Sequence, residues 1–411
     1  MKPTLFSRDF TLVVIGQIIS LFGNAILRFA LPLYLLDISG SPALFGLCSA
    51  LSFLPMIVLT PVGGIVADRV NKQRIMVVLD FATCALVAAF AFAMGRLPLI
   101  PLLILTLMLL YGISGAYQPA VQASLPLLCA GDDLLSGNAV INQVSALSSL
   151  LGPAIGSVLY SAFGLKPILA VAAACFFGSA VMELFIRIPH TPRPKGGSVL
   201  ATVRGDLSDS LRFIVREKPV LGRYIVLICA FNIFLSALMI VGLPVIVKQT
   251  LGLGDLWYGF QQAAMAAGGL VGGVLAGVLS RRLTIRHTGS LLMMCAAGLL
   301  PIGLALLLRL PAAAAYTVVT VASVLLLACA TLFQVQVLAF VQAVTPPELT
   351  GKVIACLLAL SMCAQPIGQT MYGGLFELLG GYEAFLVLGA AAAAFAIAAR
   401  AARLAKTVDP A

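Results

Sequence analysis

The chain has 411 residues, of which 61% are hydrophobic and only 10% are charged, and its mean hydropathy is +1.10. A soluble domain carries about a quarter charged and about half apolar residues, so this composition excludes a soluble globular protein. The net charge of +10 does not mark a nucleic-acid binder, because the basic residues sit in gaps between long apolar runs, with no interleaved aromatic stripe.

Apolar runs of about eighteen or more residues read as transmembrane helices, and these runs are continuous where a β-barrel strand would alternate. The opening "MKPTLFSRDF" leads into the first run without an A-x-A-like cleavage site and is read as part of a retained helix. Twelve spans are expected, at 10–37, 42–67, 75–95, 98–122, 136–163, 167–187, 222–248, 256–279, 288–308, 312–342, 350–379 and 382–403. Between the sixth and seventh, "HTPRPKGG" gives way to "VLATVRGDLSDSLRFIVREK", which reads as a cytosolic linker with an amphipathic helix on the membrane surface. The expected domains are a six-helix bundle over 1–188, a linker over 189–221 and a second six-helix bundle over 222–411.

Placing the N-terminus and every second loop on one side collects twenty Lys and Arg there, against Arg96, Lys166, Lys248 and Arg309 opposite. By the positive-inside rule both termini are cytosolic and the protein is multi-pass in the cell membrane. Arg28 is the single basic residue left inside a span. The nine cysteines are scattered singly, with no CxxC pair and no nearby His, so no metal site, disulfide framework or cofactor is expected. No GxxxxGK[ST] occurs, and no nucleophile–base cluster lies in the spans, which argues against an ATP-driven pump and against an enzyme.

The halves repeat. Phe45-Gly46 corresponds to Tyr258-Gly259, Gly64 to Gly277 and Arg69 to Arg282, each pair at one fixed offset. "LLSGNAVINQ" resembles "ELTGKVIACL" in the same way. Two parallel six-helix repeats with a substrate site between them describe the architecture of the major facilitator superfamily. The stretch Gly64-x-x-x-Asp68-Arg69-x-Asn71-Lys72-Gln73-Arg74 resembles that superfamily's motif A, with Asn71 where a second Gly is usual, a residue that tolerates a left-handed turn. In the fifth span Gly152-Pro153-x-x-Gly156-Ser157 resembles the core of motif C of drug:proton antiporters, with Ser148 where another Gly is usual. With "GQIISLFGNAILRFALPLYLLDISGS", "YQPAVQASLPLL" and "TPPELTGKV", the whole chain is most similar to macrolide-efflux-type major facilitators. Exporters of lysophospholipids and siderophores share much of the pattern.

The resemblance implies a secondary exporter with all-α architecture, working by alternating access, monomeric and coupled to protons. It also implies that Gly64, Asp68, Arg69, Lys72 and Arg74 gate the outward-facing state, Asp68 and Arg69 meeting helix ends of the other half. Topology alone also accounts for the basic residues. Gly152, Pro153 and Gly156 would shape a close helix crossing.

Polar residues inside spans are costly and face the bundle interior or a wet cavity. In the first span Gln17, Asn24 and Arg28 share a face; in the fourth, Tyr111, Ser114 and Gln118 do; Asn142 adds to the fifth. Asn232, Gln261 and Gln334 stand in the seventh, eighth and tenth spans, and Ser361, Gln365 and Gln369 form a stripe on the eleventh. These are the candidate substrate-binding residues, interhelical hydrogen bonding being the alternative for each. Phe53, Phe231, Phe234 and several Met offer adaptable apolar surface, which suits a small amphiphile. Arg28 favours an anionic or zwitterionic cargo instead, and Asp37, two and a half turns away, does not face it. Intramembrane acids are few. Asp37 and Asp80 are the proton-coupling candidates, while Glu183 precedes Arg187 by four and reads as an i,i+4 pair. The motif B Arg of the fourth span is missing and no His lies in a span, so the residues themselves support proton coupling weakly. A non-transporting sensor or scaffold is the alternative of another class.

Overall fold

The computed structural model describes residues 7–129, 133–189, 199–279 and 287–406. Its helices are α1 (Arg8–Ser39), α2 (Pro42–Arg69), α3 (Lys72–Ala93), α4 (Leu99–Leu128), α5 (Asp133–Phe163), α6 (Leu165–Leu184), α7 (Val199–Arg212), α8 (Pro219–Thr250), α9 (Asp255–Val278), α10 (Thr288–Leu307), α11 (Ala312–Val344), α12 (Pro347–Leu378) and α13 (Glu383–Lys406). All except α7 carry a stretch long and apolar enough to cross a membrane, twelve in the described residues. This is a multi-pass, all-helical membrane protein.

Local chemistry sets the ends. Ser7 caps α1, its hydroxyl accepting from the Phe10 N–H, and Gly40 closes the same helix at φ +62°, where a side chain would be strained. Asn71 does not make the left-handed turn expected of it. It has φ −59° and caps α3, its Oδ1 accepting from the Gln73 N–H at 3.0 Å. Helix α4 outruns the expected end at 122 by six residues. It absorbs Pro119 and Pro126, with Ser124 Oγ donating to the Val121 carbonyl. Helix α8 changes to wider π-helical turns over Asn232–Ser236 and Val245–Thr250, which no periodicity in the sequence signals.

The chain packs as two compact units, one of Met1–Gly40 with Leu51–Val199, the other of Ser41–Ala50 with Leu200–Ala411. In the first, α1 packs on α5 and α6, and α3 on α4 and α6. In the second, α10 packs on α11 and α13, and α9 on α11. The start of α2 belongs to this second unit. Glu377 Oε2 accepts from Ser41 Oγ at 2.8 Å and from the Ala43 N–H at 3.2 Å, a carboxylate at a helix N-terminus. Linker helix α7 docks on the second unit as well. Asp209 meets Lys352 at 3.2 Å, and Phe213 and Ile214 just beyond it are buried. The linker segment 190–198 and the 280–286 loop with Arg282, the repeat partner of Arg69, lie outside the described residues. Phe45 and Tyr258, paired by the repeat, are both buried and both stand fourth in their helices.

Close helix crossings depend on missing side chains. A Cβ on Gly272 would stand 2.8 Å from Ala328 Cα across the α9–α11 crossing, whereas one on neighbouring Gly273 would meet nothing. Gly272→Ala should therefore destabilise the second unit by about 1–3 kcal/mol. Gly273→Ala should be neutral or stabilise by up to ~1 kcal/mol through helix propensity alone. Opposite signs are expected in the melting temperature of the purified protein, and equal shifts would show that the crossing tolerates a methyl group.

Candidate functional site

In the second unit a cavity of about 290 Å³ opens between α8, α11 and α12. The widened turn of α8 places Phe231 and Asn232 on its wall. Phe333 of α11 faces Phe231 with ring centroids 5.8 Å apart, and Met362 completes an apolar surface. Four of the polar residues picked from sequence meet here, namely Asn232, Gln334, Ser361 and Gln365. Asn232 Nδ2 donates to the Ser361 carbonyl at 3.2 Å, which fixes the amide. Ser361 Oγ is buried without a hydrogen-bond partner among the described residues. An aromatic wall with a few fixed polar groups is what a small amphiphilic ligand requires. Gln261 and Gln369 lie elsewhere. Both are fully buried, and neither side-chain amide has a partner among the described residues.

The first unit holds the polar stripe of α1. The Arg28 guanidinium lies over the Tyr111 ring, Cζ 3.9 Å from its centroid, and Phe53 of α2 packs on the same ring at 5.1 Å. Nε and Nη2 of Arg28 have no hydrogen-bond partner among the described residues, nor does the Oδ1 of Asn24 one turn earlier. Asp37 is not its counter-ion, for Asp37 is exposed and accepts from Tyr160 Oη at 2.8 Å. Ser114 and Gln118 are half-buried on α4, and Asn142 is exposed on α5.

Gln17, on the same stripe, is enclosed completely, and its Nε2 donates to Tyr117 Oη at 2.6 Å. Tyr117 donates in turn to Glu183 Oε1 at 2.6 Å. Glu183 is thus buried inside the unit and not paired along its helix with Arg187. Helix α6 ends at Leu184, so the i,i+4 geometry does not exist, and the backbone N–H of Arg187 donates to Asp9 instead. Asp80 is buried beside this chain, its Oδ1 accepting from Ser20 at 3.3 Å. Nothing in the sequence distinguished Tyr117, and Glu183 was obscured by a pairing rule applied past a helix end.

The two motifs are placed as follows. In motif C a Cβ on Gly152 would collide with Ala25 of α1, and one on Gly156 would approach Phe29 Cδ1 to 3.2 Å, so both glycines admit α1 to α5, with Pro153 between them. In motif A Gly64 has open space around it, Arg69 closes α2, Lys72 opens α3 and Arg74 is exposed; the Asp68 side chain lies outside the described residues. Among the described residues no three metal-ligating side chains converge.

The model of the Major Facilitator Superfamily matches residues 13–353. The chain belongs to this superfamily. Among curated members it is similar to macrolide efflux protein A of Streptococcus pyogenes, 23% identical over 379 residues and covering 91% of both chains. It also resembles the multidrug efflux pump Tap of Mycobacterium tuberculosis, 25% identical over 404 residues, with 92% of this chain and 89% of that one covered. Among solved structures the nucleoside transporter NupG superposes with a TM-score of 0.78 at 12% identity, covering 97% of this chain and all of that one. A bacterial homologue of the iron transporter ferroportin, in an inward-facing state, gives 0.70 at 17% identity, covering 96% and 98%. The structural likenesses establish the fold of this facilitator. It is a transporter and not an enzyme, and the two relatives named above are efflux proteins.

Filling the α8–α11–α12 cavity should block a ligand without unfolding the protein. Ser361→Phe adds a ring at the cavity wall, so the facilitator should keep its melting temperature within a few degrees while its affinity for any ligand held in this cavity falls about tenfold or more. Unchanged affinity would remove this cavity from the substrate path.

Proposed function

We propose that this facilitator exports a small amphiphilic compound of the drug or macrolide kind, by alternating access and in exchange for protons. It works as a monomer in the cytoplasmic membrane with both termini in the cytosol. The observation that carries the reading is the cavity in which Phe231, Phe333 and Met362 offer adaptable apolar surface and Asn232, Gln334 and Gln365 offer neutral hydrogen bonds. A site without a fixed counter-charge accepts varied apolar cargo by repacking, since Met and aromatic walls adjust where a charged pocket would select. The efflux function of the relatives supports the direction of transport, and the crowding of basic residues at one set of loops supports the orientation.

A second reading rests on Arg28. A buried guanidinium with two nitrogens free of hydrogen bonds is costly unless a carboxylate or phosphate completes it, so an anionic cargo such as a lysophospholipid or a siderophore fits that position.

The test uses the purified protein in detergent and in proteoliposomes. A bound ligand stabilises the fold by RT ln(1 + [L]/Kd), about 2.7 kcal/mol at a hundred times Kd. A macrolide should stabilise wild type and Arg28→Ala alike, and an imposed pH gradient should drive its accumulation in vesicles. If lysophosphatidylglycerol stabilises wild type alone, loses that effect in Arg28→Ala, and the macrolide has none, the anionic reading replaces the first. Absence of flux with every compound would leave a sensor or scaffold.

A further inference from the structure

The first unit contains a buried polar cluster whose hydrogen count does not balance. Its acceptors are the carboxylates of Asp80 and Glu183 and the amide oxygen of Gln17, and all three residues are sealed from solvent, at 2%, 0% and 0% exposure. Its donors are Gln17 Nε2, spent on Tyr117; Tyr117 Oη, spent on Glu183 Oε1; and Ser20 Oγ, spent on Asp80 Oδ1. Ser179, one turn before Glu183, also reaches the Asp80 carboxyl while its hydroxyl lies 3.1 Å from the Gly16 carbonyl. Three acceptor atoms are left over: Asp80 Oδ2, Glu183 Oε2 and Gln17 Oε1, none with a partner among the described residues. Tyr117 is part of an apolar wall of buried residues that includes Phe10, Val13, Met76, Val121 and Ile186.

Two buried carboxylates beside such a wall, close enough for their charges to interact, require a cation or a proton. Among the described residues no side chain supplies the cation. From α1 no titratable group lies between Asp9 and Arg28; α3 offers Cys84 one turn beyond Asp80, α4 offers Tyr117 and Tyr111 with Cys129 just past its end, and α6 offers Cys175 two turns before Glu183 and Lys166 at its opposite end. The described part of α2 from Leu51 to Ala67 has none, and Tyr160 of α5 is engaged with Asp37. Of the charged residues at the helix ends, Asp9 accepts from the Arg187 N–H, and Gln73 between Lys72 and Arg74 donates to the backbone carbonyls of Glu183 and Leu184, not to a carboxylate; the Asp68 and Asp133 side chains lie outside the described residues.

We propose that Asp80, held by Ser20, and Glu183, held by Tyr117 and through it by Gln17, form the facilitator's proton-binding site. The proposal rests on the proton-exchange reading above and gives that exchange its location. Binding of a proton to an unpartnered carboxylate oxygen forms an O–H bond, removes one negative charge and turns an acceptor into a donor, for which Gln17 Oε1 is the unpartnered acceptor. Release restores the carboxylate. The unpartnered, fully buried Gln17 amide oxygen is what separates this arrangement from a mere acidic pair. The cluster stands about six helix rises from the Tyr111 position on α4 and eleven from Arg28 on α1, so a change in the Gln17–Tyr117–Glu183 chain acts on the two helices that also carry the Arg28–Tyr111 contact. Gln17 and Tyr117 are therefore positioning residues, and the two carboxyls are the binding groups.

The test is made on the full chain in lipid vesicles, with D80N and E183Q, both nearly isosteric. Infrared difference spectra between neutral and alkaline buffer should show the carbonyl stretch of a buried protonated carboxyl in wild type, and that band should be lost or halved in each variant. No substrate is needed for this arm. In the second arm the ratio of macrolide accumulation driven by a pH gradient to macrolide exchange at equal pH should fall about tenfold or more in either variant. An absent band in wild type, a band untouched by both substitutions, or a band that sodium but not potassium abolishes would overturn the proposal, the last by making the site a sodium site. An unchanged transport ratio would overturn the coupling role. A wild type that shows the band yet moves no macrolide would refute the export reading and leave the proton site standing. If E183Q does not fold, D80N carries both readouts.

Discussion

A polar group inside an apolar bundle has no water to fall back on, and that constraint governs the rest of this molecule. An unpaired amide or hydroxyl costs several kcal/mol in such surroundings, and an unpaired charge costs more. The charged residues are accordingly driven to the loops, and the backbone is satisfied by helices alone. Each polar side chain that remains inside must have a partner, and the informative ones are those that do not. Serines and threonines such as Thr60, Thr83, Ser145 and Ser323 settle the matter locally by donating to the carbonyl one turn back. Arg28, Ser361, Gln17, Asp80 and Glu183 cannot, and those residues outline three places where a ligand or proton has chemical reason to go: the Ser361 cavity, the guanidinium over Tyr111, and the Asp80–Glu183 cluster.

The same constraint explains how the helices meet. Lipid chains are as apolar as leucine, so helix association in a membrane draws on close contact more than on hydrophobic burial. Glycines supply that contact here: Gly152 against Ala25, Gly272 against Ala328, Gly368 against Ile233. Where α1 lies against α5 through Gly152 and Gly156, it is held at a fixed depth, and its polar stripe is aimed at α4 and α6. The motif C glycines thereby help position both Arg28 over Tyr111 and Gln17 against Tyr117. A sequence motif of small residues and a buried hydrogen-bond chain are two parts of one packing arrangement.

Much of this was legible in the chain itself, because the membrane imposes a strong and simple code. Apolar runs gave twelve spans whose ends agree with the helices to within a few residues, with α4 the exception, since a helix that carries Pro119 and Pro126 does not announce its continuation. Asn232, Gln334 and Gln365 could be chosen because a helical period puts polar residues on one face, and they do line one cavity. Gln17 was chosen on the same grounds, yet it turns to Tyr117, because spacing along one helix does not say which neighbour a face will meet. The π-helical turn at Asn232 and the role of Glu183 were illegible for a related reason. Each depends on where a helix changes pitch or stops, and the i,i+4 rule assumes that it does neither.

The division of labour between the two kinds of buried polar residue bears on how such a protein could couple two fluxes. The cavity of the second unit is lined by no charged side chain and is walled by Phe231, Phe333 and Met362, so on the proposed reading cargo is held there without a counter-charge. The buried carboxyls of Asp80 and Glu183 lie instead in the first unit, where their neighbour Tyr117 joins an apolar cluster that includes Phe10, Met76 and Val121. A proton bound there cannot compete with cargo for the same atoms. It can act only by changing which arrangement of α1, α4 and α6 is favoured, through the Gln17–Tyr117–Glu183 chain. Coupling of that form is a linkage between conformations, and it permits a broad cargo range without loss of the exchange, because nothing about the proton site has to fit the cargo.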